Sequence, residues 1–131
     1  MSKTDDSVPG IGLSTFAACG MDGSTALTAT AQNVFLGPCR VYGYWLTNVD
    51  TVANFVSFYP NIAANVTVGT TLPLFQLSPA ASTSANLSLP YGILFPGGCS
   101  VAATTTAGGN SAPATALDLI VWYAPINLPT T

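Results

Sequence analysis

The sequence predicts an all-β domain, an antiparallel sandwich or barrel of about eight short strands. Three observations carry that prediction. Apolar types make up 49% of the chain, yet they fall in runs of strand length, not helix length. The runs alternate and are rich in branched and aromatic residues. The 12 Gly and 10 Pro stand mostly between the runs, a spacing that reads as a sandwich or barrel. Helical i, i+3, i+4 periodicity with caps is missing. The one helical option, residues 51–58, is too branched and aromatic to prefer helix.

Taken in order, residues 1–10 are polar, hold Lys3, Asp5 and Asp6, and end in Val8-Pro9-Gly10. Residues 1–19 read as an extended N-terminal arm and 20–131 as a single sandwich domain. Gly20-Met21-Asp22-Gly23 is a turn signal. Strands are then expected at 24–32, 39–47, 52–59, 72–77, 85–89, 92–95, 99–105 and 116–124. In the third of these, alternation puts Phe55, Ser57 and Tyr59 on one face and Val56 and Phe58 on the other. Pro73 makes 72–77 an edge strand, or one that starts later. Residues 78–84 and 104–115 are low-complexity and read as exposed loops.

The charge balance excludes several functions. Lys+Arg is 2, Asp+Glu is 5, His is 0 and the net charge is −3. The charged fraction of 5% compares with roughly a quarter in ordinary soluble domains. Two cations cannot neutralise a row of phosphates, which excludes nucleic acid as a partner. A membrane helix needs roughly 20 continuous apolar residues, and the best run, Leu119 to Ala124, is the length of a strand. The first residues lack the apolar stretch of a signal peptide, so synthesis in the cytoplasm is expected. A surface wetted by Thr, Ser and Asn lacks the repulsion that keeps monomers apart. The composition therefore points to a subunit of an assembly.

Catalytic chemistry has little to work with. With no His there is no usual general base, no Ser-His or Cys-His pair and no imidazole ligand. With no Glu, carboxylates come only from scattered Asp. The expectation is no enzyme, no cofactor and no metal. Cys19, Cys39 and Cys99 lack CxxC spacing and read as small buried hydrophobes, with a Cys39–Cys99 bridge left open. The sequons at Asn65 and Asn86 read as chance matches in a chain rich in Ser and Thr. Arg40, the sole base outside the arm, is expected to pair with Asp50 or Asp118, or to bridge to another subunit. Tyr42, Tyr44, Trp45 and Trp122 read as core or interface in preference to a sugar platform. Asn48 and Asn54 are the only polar partners such a platform would have nearby.

Several segments share the style and order of a known group. They are Gly37-Pro38-Cys39-Arg40-Val41-Tyr42-Gly43-Tyr44, Phe55-Val56-Ser57-Phe58-Tyr59, Val66-Thr67-Val68-Gly69-Thr70-Thr71-Leu72-Pro73, Ala85-Asn86-Leu87 running to Tyr91-Gly92-Ile93, and Val101-Ala102-Ala103-Thr104-Thr105. Over residues 25–124 the chain resembles small β-sandwich proteins encoded beside the major capsid protein of tailed bacteriophages. The resemblance implies a capsid decoration, or cement, protein with a jelly-roll or related sandwich fold, commonly a homotrimer on the outer surface of the head. Its implied partners are the major capsid protein and copies of itself. The candidate contact residues are Lys3, Asp5, Asp6, Pro9, Ile11, Leu13 and Phe16 of the arm, together with Arg40. Two other functions fit the composition. One is a tail- or surface-associated glycan-binding β-module. The other is a small major shell protein.

Overall fold

The computed structural model describes residues 20–126. The arm, with Lys3, Asp5, Asp6, Pro9, Ile11, Leu13, Phe16 and Cys19, lies outside the described residues. Among the described residues eight strands follow one another: β1 Gly20–Leu27, β2 Gln32–Phe35, β3 Cys39–Asn48, β4 Phe55–Tyr59, β5 Phe75–Leu77, β6 Thr83–Phe95, β7 Cys99–Thr104 and β8 Leu117–Pro125. A single turn of 3-10 helix, Ala63–Asn65, lies between β4 and β5.

The strands form two four-stranded sheets, in the orders β1-β8-β3-β6 and β2-β7-β4-β5. Every pairing between these strands is antiparallel. The partners nest: β1 with β8, β2 with β7, β3 with β6, β4 with β5. One long hairpin, folded over so that successive pairs fall in alternate sheets, produces that order. It is the eight-stranded jelly roll, so the sandwich expectation holds and the barrel is excluded.

The core lies between the sheets. Leu27, Val41, Tyr44, Leu46, Phe95, Leu117, Leu119 and Val121 face inward from the first sheet; Val34, Val56, Phe58, Cys99, Val101 and Ala103 face them from the second. Phe58 stacks on Phe75 at 4.6 Å between ring centroids, with Tyr44 at 6.0 Å and Phe95 at 6.4 Å. Full burial of such a side chain contributes about 1.5–3 kcal/mol. All six residues of β7 are buried. Its outward Ser100 and Thr104 are roofed by loops, their hydroxyls donating to Asn61 O at 2.8 Å and Thr106 O at 2.8 Å.

Several local expectations change. The turn signal at 20–23 is instead the start of β1, where Gly20 to Gly23 pair with Tyr123 to Ile120. Cross-strand pairing overrides the turn preference of Gly and Asp. The expected strand at 24–32 is broken, because the chain must leave the first sheet for the second. At that crossing Thr30 N–H donates to Thr28 Oγ1, and Gln32 Nε2 reaches back to Ala26 O. Residues 85–89 and 92–95 belong to one strand, β6, interrupted by an outward excursion at Leu89 to Gly92. The register there jumps from Gly43 opposite Ser88 to Val41 opposite Ile93. Gly92 closes the excursion at φ +71°, which L side chains rarely adopt. β6 is an edge strand, so Pro90 removes no ladder bond that the sheet needs. Pro73 precedes β5, which is indeed an edge and begins at Phe75.

Strict alternation would put Tyr42 and Tyr44 of β3 on one face and Trp45 on the other, and the structure differs. A bulge lies between Val41 and Gly43, with two residues of β3 set against one of β8. The parity of the strand therefore flips. Cys39 and Val41 are buried before the bulge, and Tyr44, Leu46 and Asn48 after it. Tyr42 stands over Gly92 beside Arg40, so Tyr42 and Tyr44 do not share a face.

Candidate functional site

Arg40 is the one candidate contact residue within the described region. It is half-buried on β3, opposite Leu94 and Ala124. The expected intramolecular pairing is excluded by register. Asp118 stands opposite Thr47 at the other end of the strand, and Asp50 lies beyond that end. The rise from Arg40 to Thr47 is about 23 Å. Arg40 instead flanks the excursion of β6: a Cβ at Gly92 would come within 3.2 Å of Arg40 Cβ and 2.9 Å of Tyr42 Cε1.

Asp50 has a different task. It is buried with Asn48 and Asn54 where the β3–β4 and β5–β6 loops meet. Asn54 Nδ2 donates to Asp50 Oδ2 at 3.1 Å and Thr51 N–H donates to Oδ1 at 2.7 Å. Backbone groups of Thr115 and Ala114 add to these. All these partners are neutral. The Asn54 bond, followed by the backbone donors, holds the Asp50 carboxyl below the usual carboxylate range despite burial. Asn48 Nδ2 donates to Val52 O, Pro79 O and Ala80 O, and Asn48 Oδ1 accepts from Asp50 N–H. Ser82, at φ +54°, donates its N–H to Asp50 O at 3.0 Å. Three loops are thereby tied at one end of the sandwich. Asn54 Oδ1 is the one buried side-chain polar atom without a partner among the described residues. The spacing Asn48-x-Asp50-x-x-x-Asn54 between two apolar runs was the available signal, since Asx side chains satisfy loop backbone.

Asn48 and Asn54 are consequently unavailable to a sugar platform. The aromatics divide in the same way. Tyr44, Phe58 and Tyr59 are buried, while Trp45 is 48% exposed on the outer face of the first sheet, opposite Ile120 and Asn86. Tyr91 stands at the tip of the β6 excursion and is 88% exposed. Other exposed apolar groups are Leu36, Val49, Val52, Leu72 and Leu87. The second sheet contains no Lys, Arg, Asp or Glu in any of its four strands.

A groove of about 300 Å³ opens on that second sheet, lined by Ser57, Tyr59, Gln76, Leu72 and the glycines Gly69 and Gly108. Its walls are neutral. Ser57 Oγ already accepts from Gln76 Nε2 at 2.7 Å, and Thr71 Oγ1 accepts from Thr67 N–H at 2.8 Å. Among the described residues no three His, Cys, Asp or Glu side chains gather as a metal site. No helix is long and apolar enough to cross a membrane. Cys39 and Cys99 are both buried and no disulfide joins them. Burial pushes the Cys39 thiol up to about 11.

Fold and surface together define a jelly-roll domain with nearly ion-free faces. Solved structures to which the chain is weakly similar include a chain from Bacillus endospore appendages, described as a novel family of disulfide-linked pili. It shares 17% identity at a TM-score of 0.37, over 83% of this chain and 84% of that one. The coat protein of Tobacco streak virus shares 10% identity at a TM-score of 0.39, over 87% of this chain and 92% of that one. No family model and no curated protein matches the chain.

Proposed function

We propose that this chain is a virion structural protein, a decoration or cement protein on the outside of a phage head. One observation carries the reading: a rigid two-sheet sandwich exposes large apolar side chains on a surface almost without ions. Leu36, Leu72 and Tyr91 are 68%, 83% and 88% exposed. Such groups are costly on a free monomer and useful where subunits meet. A cement protein adds contact area at capsid junctions and spreads load when packaged DNA presses outward, and repeated copies gain from multivalency. The arm, residues 1–19, contributes the attachment segment, with Ile11, Leu13 and Phe16 beside Lys3, Asp5 and Asp6. The test is addition of purified protein to undecorated heads, with occupancy counted by mass. Deletion of residues 1–10 is expected to lower occupancy and leave the fold unchanged. Heads that take up no protein would overturn the reading.

The groove on the second sheet favours a second reading, a glycan-binding module. Its hydroxyl and amide lining suits a neutral polyol better than an ion. Saturable calorimetric binding of a surface polysaccharide, lost in Gln76→Ala, would favour it over decoration.

A further inference from the structure

We propose that the β6 edge, residues 83–88, pairs antiparallel with the same segment of a second copy across a two-fold axis, joining two first sheets into one. This deepens the assembly reading and rests on it for its biological setting. β6 ends the first sheet in the order β1-β8-β3-β6. Residues 83–88 are exposed throughout while still laddered to β3 on the other side. Among the described residues, one row of its backbone donors and acceptors therefore faces outward. Proteins ordinarily blunt such an edge with charge, shortness, proline or a bulge. Here Thr83-Ser-Ala-Asn-Leu-Ser88 has no charge, no proline and no bulge. The protective devices begin only afterwards, at Pro90 and the excursion.

Elimination among the edges of the described residues selects a second β6 as the occupant. The edges of the second sheet are β2 and β5, of 4 and 3 residues, too short to cover six. β1, the other edge of the first sheet, contains Asp22 and a register irregularity at its Ser24–Leu27 end. β6 matches β6 in length without a charge or an irregularity, and an uncharged segment set against itself meets no like-charge repulsion. Antiparallel partners share a face only in registers centred on a residue. Centring on Asn86 sets Leu87, 47% exposed, against Ala85 of the second copy, and Ser84 against Ser88. The Leu89–Gly92 excursion ends the ladder, so the seam is finite and closes as a dimer, not a fibre.

The seam predicts an even number of chains, in place of the trimer implied by the decoration-protein resemblance. Light scattering at micromolar concentration is expected to give two 13.3 kDa chains. Leu87→Lys should reduce this to one chain, while Ala107→Lys, an equal charge on an exposed loop, should leave two. Asn86→Cys in a Cys19→Ser background should oxidise to a covalent dimer across the axis. A monomeric wild type, a three-chain mass, or a two-chain mass unchanged by Leu87→Lys with no Asn86→Cys cross-link would each overturn the seam. Head occupancy is measured in parallel on the same samples. Failure to decorate heads with the two-chain mass intact would fall on the function and spare the seam.

Discussion

Asp50 is a buried carboxylate held by Asn54 and by backbone donors, with no cation beside it among the described residues. Its folded pKa is depressed, so its stabilising contribution is present above the unfolded value of 3.8. That contribution is lost as pH falls through the lower folded value. Denaturation midpoints taken from about pH 6 to about pH 2 should fall on the acid side for wild type. They should fall less steeply for Asp50→Asn. Equal slopes would remove Asp50 as the linkage group. Cys39 has the opposite sign. Its folded value of about 11 lies above the ordinary thiol value of 9.0, so the neutral buried thiol stabilises below about 9 and loses this as pH approaches 11. A thiol reagent near neutral pH should leave Cys39 unmodified until the protein unfolds, and rapid native labelling would contradict its burial. Phe58 is the central packing residue, fully buried and stacked on Phe75. Phe58→Ala should cost about 3–5 kcal/mol in a urea titration with an unchanged slope.

At the scale of elements, strand existence was legible and face assignment was not. β3, β4, β7 and β8 were readable because their apolar and aromatic runs are bounded by Gly, Pro or Asx. β2 was missed because Gln32-Asn33-Val34-Phe35 is a four-residue edge in which Val34 alone is fully buried and Phe35 only partly. The β3 bulge leaves no mark in composition, so strict alternation wrongly puts Tyr42 on the face of Tyr44, while the opposition of Tyr44 and Trp45 holds. Its cause is tertiary. A Cβ at Gly43 would lie 2.6 Å from Leu87 O and 3.4 Å from Trp122 Cε3, so only Gly lets β6 pass this close. Gly43→Ala should destabilise by about 1–3 kcal/mol, read as a lowered midpoint. A neutral result would show that the bulge can relax. The candidate site was legible to a lesser degree. Arg40 was picked out by its isolation in an apolar strand, but its expected partners stand at the far end of the sheet, a distance set by register alone.

For the whole molecule, nested pairing and scarcity of charge work together. A jelly roll covers its inner faces by folding one hairpin over itself, but it leaves two edges on each sheet and two outer faces. In most soluble domains ions occupy those surfaces. Here the described strands offer Asp22, Arg40 and Asp118, and the second sheet offers no ion at all. Attraction between such surfaces comes from apolar burial and strand pairing, and neither is screened by salt. At 1 M salt the Debye length is about 3 Å, short enough to suppress contacts built on exposed charges. Head occupancy and the self-associated mass should both persist from low to high salt, because added salt weakens only the ionic share of binding and strengthens apolar burial if it acts at all. A steep loss of occupancy with salt would instead assign attachment to Lys3, Asp5, Asp6 and Arg40. The same loss repeated in a chain lacking residues 1–10 would narrow it to Arg40, whose position beside the β6 excursion would then mark the contact.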